Sequence, residues 1–255
     1  MDLSGLRVVY FGMAGAFSRP PLEALLRAGV SVRAVVLPAL AGPSRADSDA
    51  PVTMLALPRP LSPTLRRPLP LLAPDLSSGS ILQIAGERNI PILEIHRLSD
   101  PRTVDMLAAF APDAICVACF SRRIPPAVLR MPRLGCMNVH PSLLPANRGP
   151  DPLFWTFRTG ETTTGVTIHL MDEHMDSGPI LTRRALPVAE GVTETELEVQ
   201  CAIVGGELLV EALRGLADGS LIPQLQDERL ASAHSWPSED DFVISPDRPA
   251  RAAFT

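Results

Sequence analysis

Gly135-Cys136-Met137-Asn138-Val139-His140-Pro141-Ser142-Leu143-Leu144-Pro145-Ala146-Asn147-Arg148-Gly149 is the stretch on which the reading of this chain turns. Residues 134–139 form a short apolar run fit for a buried strand. Pro141 breaks it, and a Ser-Leu-Leu-Pro loop follows, leaving at Arg148-Gly149. Asn138 and His140 are two residues apart, so on a strand their side chains leave the same face. One brings an amide donor, and the other an imidazole that titrates near neutrality. Both arrive at the carboxyl end of a strand, where open α/β sheets keep their ligand crevices.

Working outward, apolar strand patterns alternate with helical ones. Residues 6–11 read as a central strand, followed by a glycine-bearing turn and a helix that Ser18 or Arg19 begins. Residues 30–37 read as a second strand. Ser77 or Ser78 is expected to cap a helix reaching about residue 88. Residues 90–95 and 113–119 read as strands, with a helix over 101–110 between them carrying Val104, Leu107 and Ala108 inward. A short helix over 125–131 precedes the Asn-His strand. Beyond it come a helix over 151–158, two antiparallel strands at 164–170 and 179–188, a long helix over 193–216 opened by a Thr193/Glu196 capping box, and a last strand near 222–226. The alternation predicts an α/β fold: a Rossmann-like, mostly parallel sheet flanked by helices. The first turn lacks G-x-G-x-x-G spacing and no acidic residue closes the second strand, which sets NAD or FAD aside.

At 255 residues the chain holds one large domain or a domain with a tail. The expected division is a catalytic domain over 1–230 and a tail over 231–255. Residues 38–74 form an insertion rich in proline, with Arg45, Arg59, Arg66 and Arg67; its prolines exclude a helix or central strand. It reads as a surface insertion, or as a lid whose arginines meet an anion. The net charge of −5 argues against a general nucleic-acid binder. The chain has no lysine, which excludes a lysine nucleophile or Schiff base. No apolar run reaches the roughly 18 residues of a membrane span, and the Met-Asp-Leu-Ser-Gly start runs straight into a strand rather than a signal peptide. Cys116, Cys119, Cys136 and Cys201 lie in apolar runs and are expected as buried, reduced thiols, which points to a reducing compartment, the cytoplasm.

A second informative stretch, residues 164–180, carries His169 and Asp176-Ser177-Gly178. His140, His169, His174 and Asp176 could supply three metal ligands, but without set spacing, and no metal is assigned. No Ser or Cys sits on a strained elbow, so a covalent nucleophile is not indicated. Asn138, His140 and Asp176 suit acyl transfer without a covalent intermediate. The amide and a protonated imidazole would hold an oxyanion, and the carboxylate would raise the His140 pKa and manage protons. On spacing alone, Asn138 and His140 could equally be satisfying buried backbone groups.

Asn138-x-His140-Pro-Ser-Leu-Leu-Pro145, Arg148-Gly149, Thr164-Gly-Val-Thr-Ile-His169 and Asp176-Ser-Gly178 together resemble the folate-dependent formyltransferase family over about residues 6–226. The opening Val-Tyr-Phe-Gly-Met-Ala-Gly-Ala-Phe17, Met131-Pro-Arg-Leu-Gly135 and Gln226-Asp227-Glu228 resemble the family's methionyl-tRNA branch. The resemblance implies 10-formyltetrahydrofolate as co-substrate, no metal, and a primary amine as acceptor, with methionyl-tRNA first. A small amine such as an amino sugar nucleotide, or water, is the alternative. It implies that Asn138, His140 and Asp176 act on the formyl group. It also implies that Phe120, Arg122, Ile124, Cys136, Val139, Ser142, Leu143, Leu144, Pro145, Asp172, Glu173 and His174 surround the folate. The tail after Ser232 resembles a linker into a further barrel domain.

Overall fold

A computed structural model of the chain describes residues 2–39, 50–55 and 80–243. Eight strands form one sheet: β1 (Arg7–Gly12), β2 (Ser31–Pro38), β3 (Val52–Leu55), β4 (Ile92–Ile95), β5 (Ala114–Ala118), β6 (Cys136–His140), β7 (Thr163–Leu170) and β8 (Ile180–Pro187). Their spatial order is β3-β4-β2-β1-β5-β6-β7-β8. The five central strands, β4 to β6 in that order, are parallel, and β3, β7 and β8 are antiparallel to their neighbours. The fold is thus the expected α/β sheet. Burial explains the sequence pattern: β5 is buried along its whole length and β1 everywhere except Arg7, as central parallel strands covered on both faces must be.

Among the described residues six helices cover the faces: α1 (Arg19–Arg27), α2 (Ile81–Glu87), α3 (Pro101–Ala109), α4 (Pro126–Leu129), α5 (Pro152–Thr159) and α6 (Glu194–Asp218). One core joins Leu22 and Leu25 of α1, Ile81 of α2 and Leu208, Leu209 and Leu213 of α6 to Val8, Tyr10 and Met137. The other joins Leu107 of α3 and Val128 of α4 to Val9, Phe11, Ile115 and Cys136. Each fully buried side chain of this size contributes about 1.5–3 kcal/mol. In α6 the Thr193/Glu196 capping box forms as read: Thr193 Oγ1 accepts from the Glu196 N–H at 3.2 Å, and Glu196 Oε2 accepts from the Thr193 N–H at 2.9 Å.

Local differences from the sequence reading have plain causes. Ser18 precedes α1 but does not cap it; its hydroxyl donates to Ala118 O at 2.7 Å and accepts from Met13 N–H at 2.9 Å, pinning β1's exit to the end of β5. Ser80 caps α2, while Ser77 and Ser78 lie outside the described residues. Thr103, not Ala108, joins Leu107 on the buried face of α3. Within the proline-rich insertion, β3 pairs antiparallel with β4 as an edge strand, in a stretch without the prolines that flank it. The insertion's arginines lie outside the described residues. Residues 222–226 make one isolated bridge, Ile180 to Gln224, rather than a strand, because Pro223 interrupts the ladder. Cys119 is exposed: it follows β5 in a left-handed conformation (φ 58°), unlike buried Cys116, Cys136 and Cys201.

Candidate active site

The site begins with a strand register. β6 and β7 pair so that Asn138 lies opposite His169, and His140 opposite Thr167. Directly opposed residues share a face, so β7 delivers a second imidazole beside Asn138. The His169 Nδ1–H donates to Leu170 O at 3.0 Å. That assigns its Nε2 as an acceptor, and the Asn138 amide N–H donates to it at 3.2 Å. Thr167 ties down the loop after β6. Its hydroxyl donates to Ser142 O at 2.7 Å and accepts from the Leu144 N–H at 3.1 Å.

His140 is buried, and its Nε2–H donates to Asn147 O at 2.9 Å. Its Nδ1 then faces Asp176 Oδ2 at 3.8 Å, while Asp176 Oδ1 lies 3.5 Å from His169 Nε2. Asp176 comes from the loop between β7 and β8 and holds a left-handed backbone at φ 50°. Its Oδ2 accepts from the Gly149 N–H at 2.8 Å. Gly149 is required there: at φ 106°, a Cβ would run into the His234 carbonyl oxygen.

Burial pushes the His140 pKa down, and this outweighs the opposing pull of Asp176 and of the Asn147 carbonyl. Burial works the other way on Asp176, but the neighbouring imidazoles and the Gly149 N–H overcome it and hold the carboxyl well below its usual range. At neutral pH the resting pair is a neutral imidazole beside a carboxylate. Asp176 does raise the His140 pKa as expected, but desolvation outweighs it, so the imidazole rests neutral rather than protonated.

Asn138, His140, His169 and Asp176 border a cavity of about 680 Å³ at the carboxyl ends of β1, β5 and β6. Sheet order reverses between β1 and β5, so this is the crevice at the topological switch point. The family model described as formyl transferase matches residues 15–213. The chain belongs to the formyl transferase family. Methionyl-tRNA formyltransferase of Synechococcus sp. (strain JA-3-3Ab) is 45% identical over 170 residues, 66% of this chain and 53% of that protein. The enzyme of that name from Citrifermentans bemidjiense is 32% identical over 250 residues, 98% of this chain and 70% of that one. The chain thus spans about half to two thirds of the length of such relatives. Among solved structures, glycinamide ribonucleotide transformylase 1 from Symbiobacterium toebii superposes with a TM-score of 0.63 at 21% identity, covering 88% of this chain and 95% of that one. HypX from Aquifex aeolicus in complex with tetrahydrofolic acid superposes with a TM-score of 0.61 at 16% identity, covering 98% and 33%. These two likenesses concern the fold.

In this family member the cavity wall includes Phe120, Arg122, Ile124, Val139, Asp172, Glu173 and His174. Cys136, Ser142, Leu143, Leu144 and Pro145 are not on it. The Cys136 thiol turns to the Val128 and Leu129 carbonyls beneath α4. Ser142 donates to Ala146 O at 2.7 Å inside its own loop, and Leu144 is fully buried. The motif loop therefore shapes the site from behind. Arg122 spans backbone, donating to His96 O at 3.0 Å and Ala39 O at 2.8 Å. Asp172 shapes the 172–177 loop by accepting from the His174 N–H at 2.8 Å and the Ser177 hydroxyl at 3.0 Å. His174 is exposed and does not join the other histidines, and among the described residues no group of His, Cys, Asp and Glu is arranged to hold a metal.

Another part of the lining was not legible in sequence. Met13, Phe17, Cys119, Asp151, Glu194, Glu198 and Trp236 contribute it, drawn from five separate places in the chain. The pKa values of Asp151, Glu194 and Glu198 are all raised, first by burial and then, for both glutamates, by neighbouring carboxylates. Trp236 belongs to the segment after residue 230, whose described part packs on α5: Trp155 stacks on His234 with centroids 4.4 Å apart, and Phe154 meets Phe242 at 5.0 Å.

Proposed function

We propose that this chain transfers the formyl group of 10-formyltetrahydrofolate to a primary amine. One observation carries the reading: Asn138, His140 and Asp176 converge with His169 at the border of a cavity large enough for a folate head group and an acceptor. The cavity suits a flat heteroaromatic group. Val117, Phe120, Ile124, Val139 and Met171 supply apolar walls, and the 172–176 loop offers backbone polar groups. Bound 10-formyltetrahydrofolate would supply an activated formyl carbon, and the rest of the chemistry falls to these side chains.

The acceptor amine attacks the formyl carbon, and charge develops on the formyl oxygen. The Asn138 amide, oriented by His169, has a second N–H to donate to that oxygen. Neutral His140 takes a proton from the attacking amine at Nδ1, its Nε2–H being committed to Asn147 O. Asp176 then faces an imidazolium and stabilises it. His140 can return the proton to the departing folate nitrogen. Placing both reactants in one crevice supplies much of the remaining rate gain.

For the acceptor, the relatives' name points to methionyl-tRNA. A second reading, a small amine, is favoured by the wall of Asp151, Glu194 and Glu198, which repels the many phosphates of a tRNA more strongly than the one or two of a small acceptor. The test is an assay of tetrahydrofolate release from 10-formyltetrahydrofolate without acceptor, with methionyl-tRNA, and with small amines that include amino sugar nucleotides. Release that requires methionyl-tRNA supports the first acceptor. Release with a small amine alone supports the second. Acceptor-independent formate release assigns hydrolysis, and no release under any condition overturns the proposal.

A further inference from the structure

Resting on the formyl-transfer reading of the site, we propose that Gln226 and Arg148 are positioning residues that hold Asp176 against His140. Asp176 sits in the left-handed region at φ 50°, which aspartate enters more readily than most residues but less readily than glycine, so outside contacts help to hold it there. The Gln226 side chain supplies that constraint. Its Nε2 donates to Asp176 O at 2.8 Å and to Gly178 O at 2.7 Å, so both amide hydrogens are spent on the turn that carries the carboxylate. Its Oε1 accepts from Arg148 at 3.1 Å (Nε) and 2.8 Å (Nη2). Arg148 is itself buried and bonds Glu228 through Nη1 at 2.9 Å and Nη2 at 2.7 Å. The residue after Arg148 is Gly149, whose N–H donates to the Asp176 carboxylate at 2.8 Å.

The circuit closes on itself: Asp176 backbone, Gln226, Arg148, Gly149, Asp176 side chain. It restrains the backbone and the carboxylate of one residue from two directions. Gln226 is fixed in turn by the Gln224–Ile180 bridge two residues earlier, where the Ile180 and Gln224 N–H groups donate to each other's carbonyls at 2.7 and 2.8 Å. The chemistry of each position is specific. Glutamate at 226 would set a carboxylate against two carbonyls. Lysine at 148 keeps the charge but loses the planar fork that meets Gln226 and Glu228 together.

The experiment compares the whole chain with Gln226→Glu, Gln226→Ala and Arg148→Lys. Gln226→Glu preserves volume and guards against simple unfolding, which melting curves check. Two readouts are taken: kcat and KM for tetrahydrofolate release, and the His140 imidazole titration by NMR, assigned with His140→Asn. Loss of such a support should lower kcat about 10- to 100-fold with KM for 10-formyltetrahydrofolate within about threefold. The His140 midpoint should move to lower pH, because a displaced Asp176 no longer favours the imidazolium. Wild-type kcat and midpoint in folded Gln226→Glu and Arg148→Lys overturn the proposal, as does a higher KM at unchanged kcat and midpoint. Should the wild type release no tetrahydrofolate, formyl transfer falls, and the His140 midpoint alone still decides the positioning role.

Discussion

Asn138 is held by one amide N–H on His169, which leaves the other for a ligand. Asn138→Ala removes that donor, and kcat for tetrahydrofolate release is expected to fall about 10²- to 10³-fold, the scale of a lost oxyanion donor; a fall below tenfold in steady-state assays would sink its role. His140 must be neutral to take a proton. Its ordinary value of 6.5 is pushed down by burial, so kcat/KM should hold below that pH and fall only as pH drops through the lowered value. Asp176 opposes the lowering, so Asp176→Ala should shift this acid limb to still lower pH while reducing kcat; a limb that moves up or stays in place contradicts the pairing. The motif residues themselves were legible, because spacing on one strand puts Asn138 and His140 on one face. His169's part was not, since it depends on the β6–β7 register, which local spacing does not encode.

Among the elements, α6 bears the acidic wall. Glu194 lies in its first turn, where the helix dipole favours a negative charge. Glu198 lies one turn further in and is raised from 4.5 by burial and by Asp151. A carboxyl raised in the fold costs stability once it ionises, and the cost is absent below the unfolded value. Glu198→Gln should therefore raise Tm at pH 7, with the gain shrinking as pH falls through the raised value and gone below 4.5; scanning calorimetry at both ends of that range checks it. The helix and its capping box were readable from local sequence. What its polar face looks at was not, because Asp151 and Glu198 meet only after α5 and α6 fold onto the same end of the sheet.

For the whole molecule, Asp113 ties the sheet together. It accepts from the Arg7 N–H at 2.9 Å, from Arg7 Nε at 3.0 Å and from Arg133 Nε at 2.9 Å, joining the start of β1 to the start of β5 and the turn before β6. The Arg7 hydrogen bond leads in holding its carboxyl well below 3.8, with burial opposing. A depressed carboxyl gives stability that is present above its unfolded value and is lost as pH falls through the folded one. Asp113→Asn should thus cost about 1–3 kcal/mol at pH 7, as expected for a buried acceptor of charged donors. In denaturant melts the difference from wild type should narrow below pH 3.8; a difference constant with pH would show that the loss is packing alone.

The sequence by itself determined the α/β alternation, the long capped helix and the face shared by Asn138 and His140. These follow from periodicity, caps and proline breaks, which act within a few residues. Only the tertiary structure decided which neighbours those residues meet. The β6–β7 register brought His169 to Asn138, the left-handed turn at Asp176 found its support 50 residues away in Gln226, and Asp151 came to share one wall with the two glutamates of α6. Such pairings arise from sheet order and packing, where contact is set by the fold rather than by spacing along the chain.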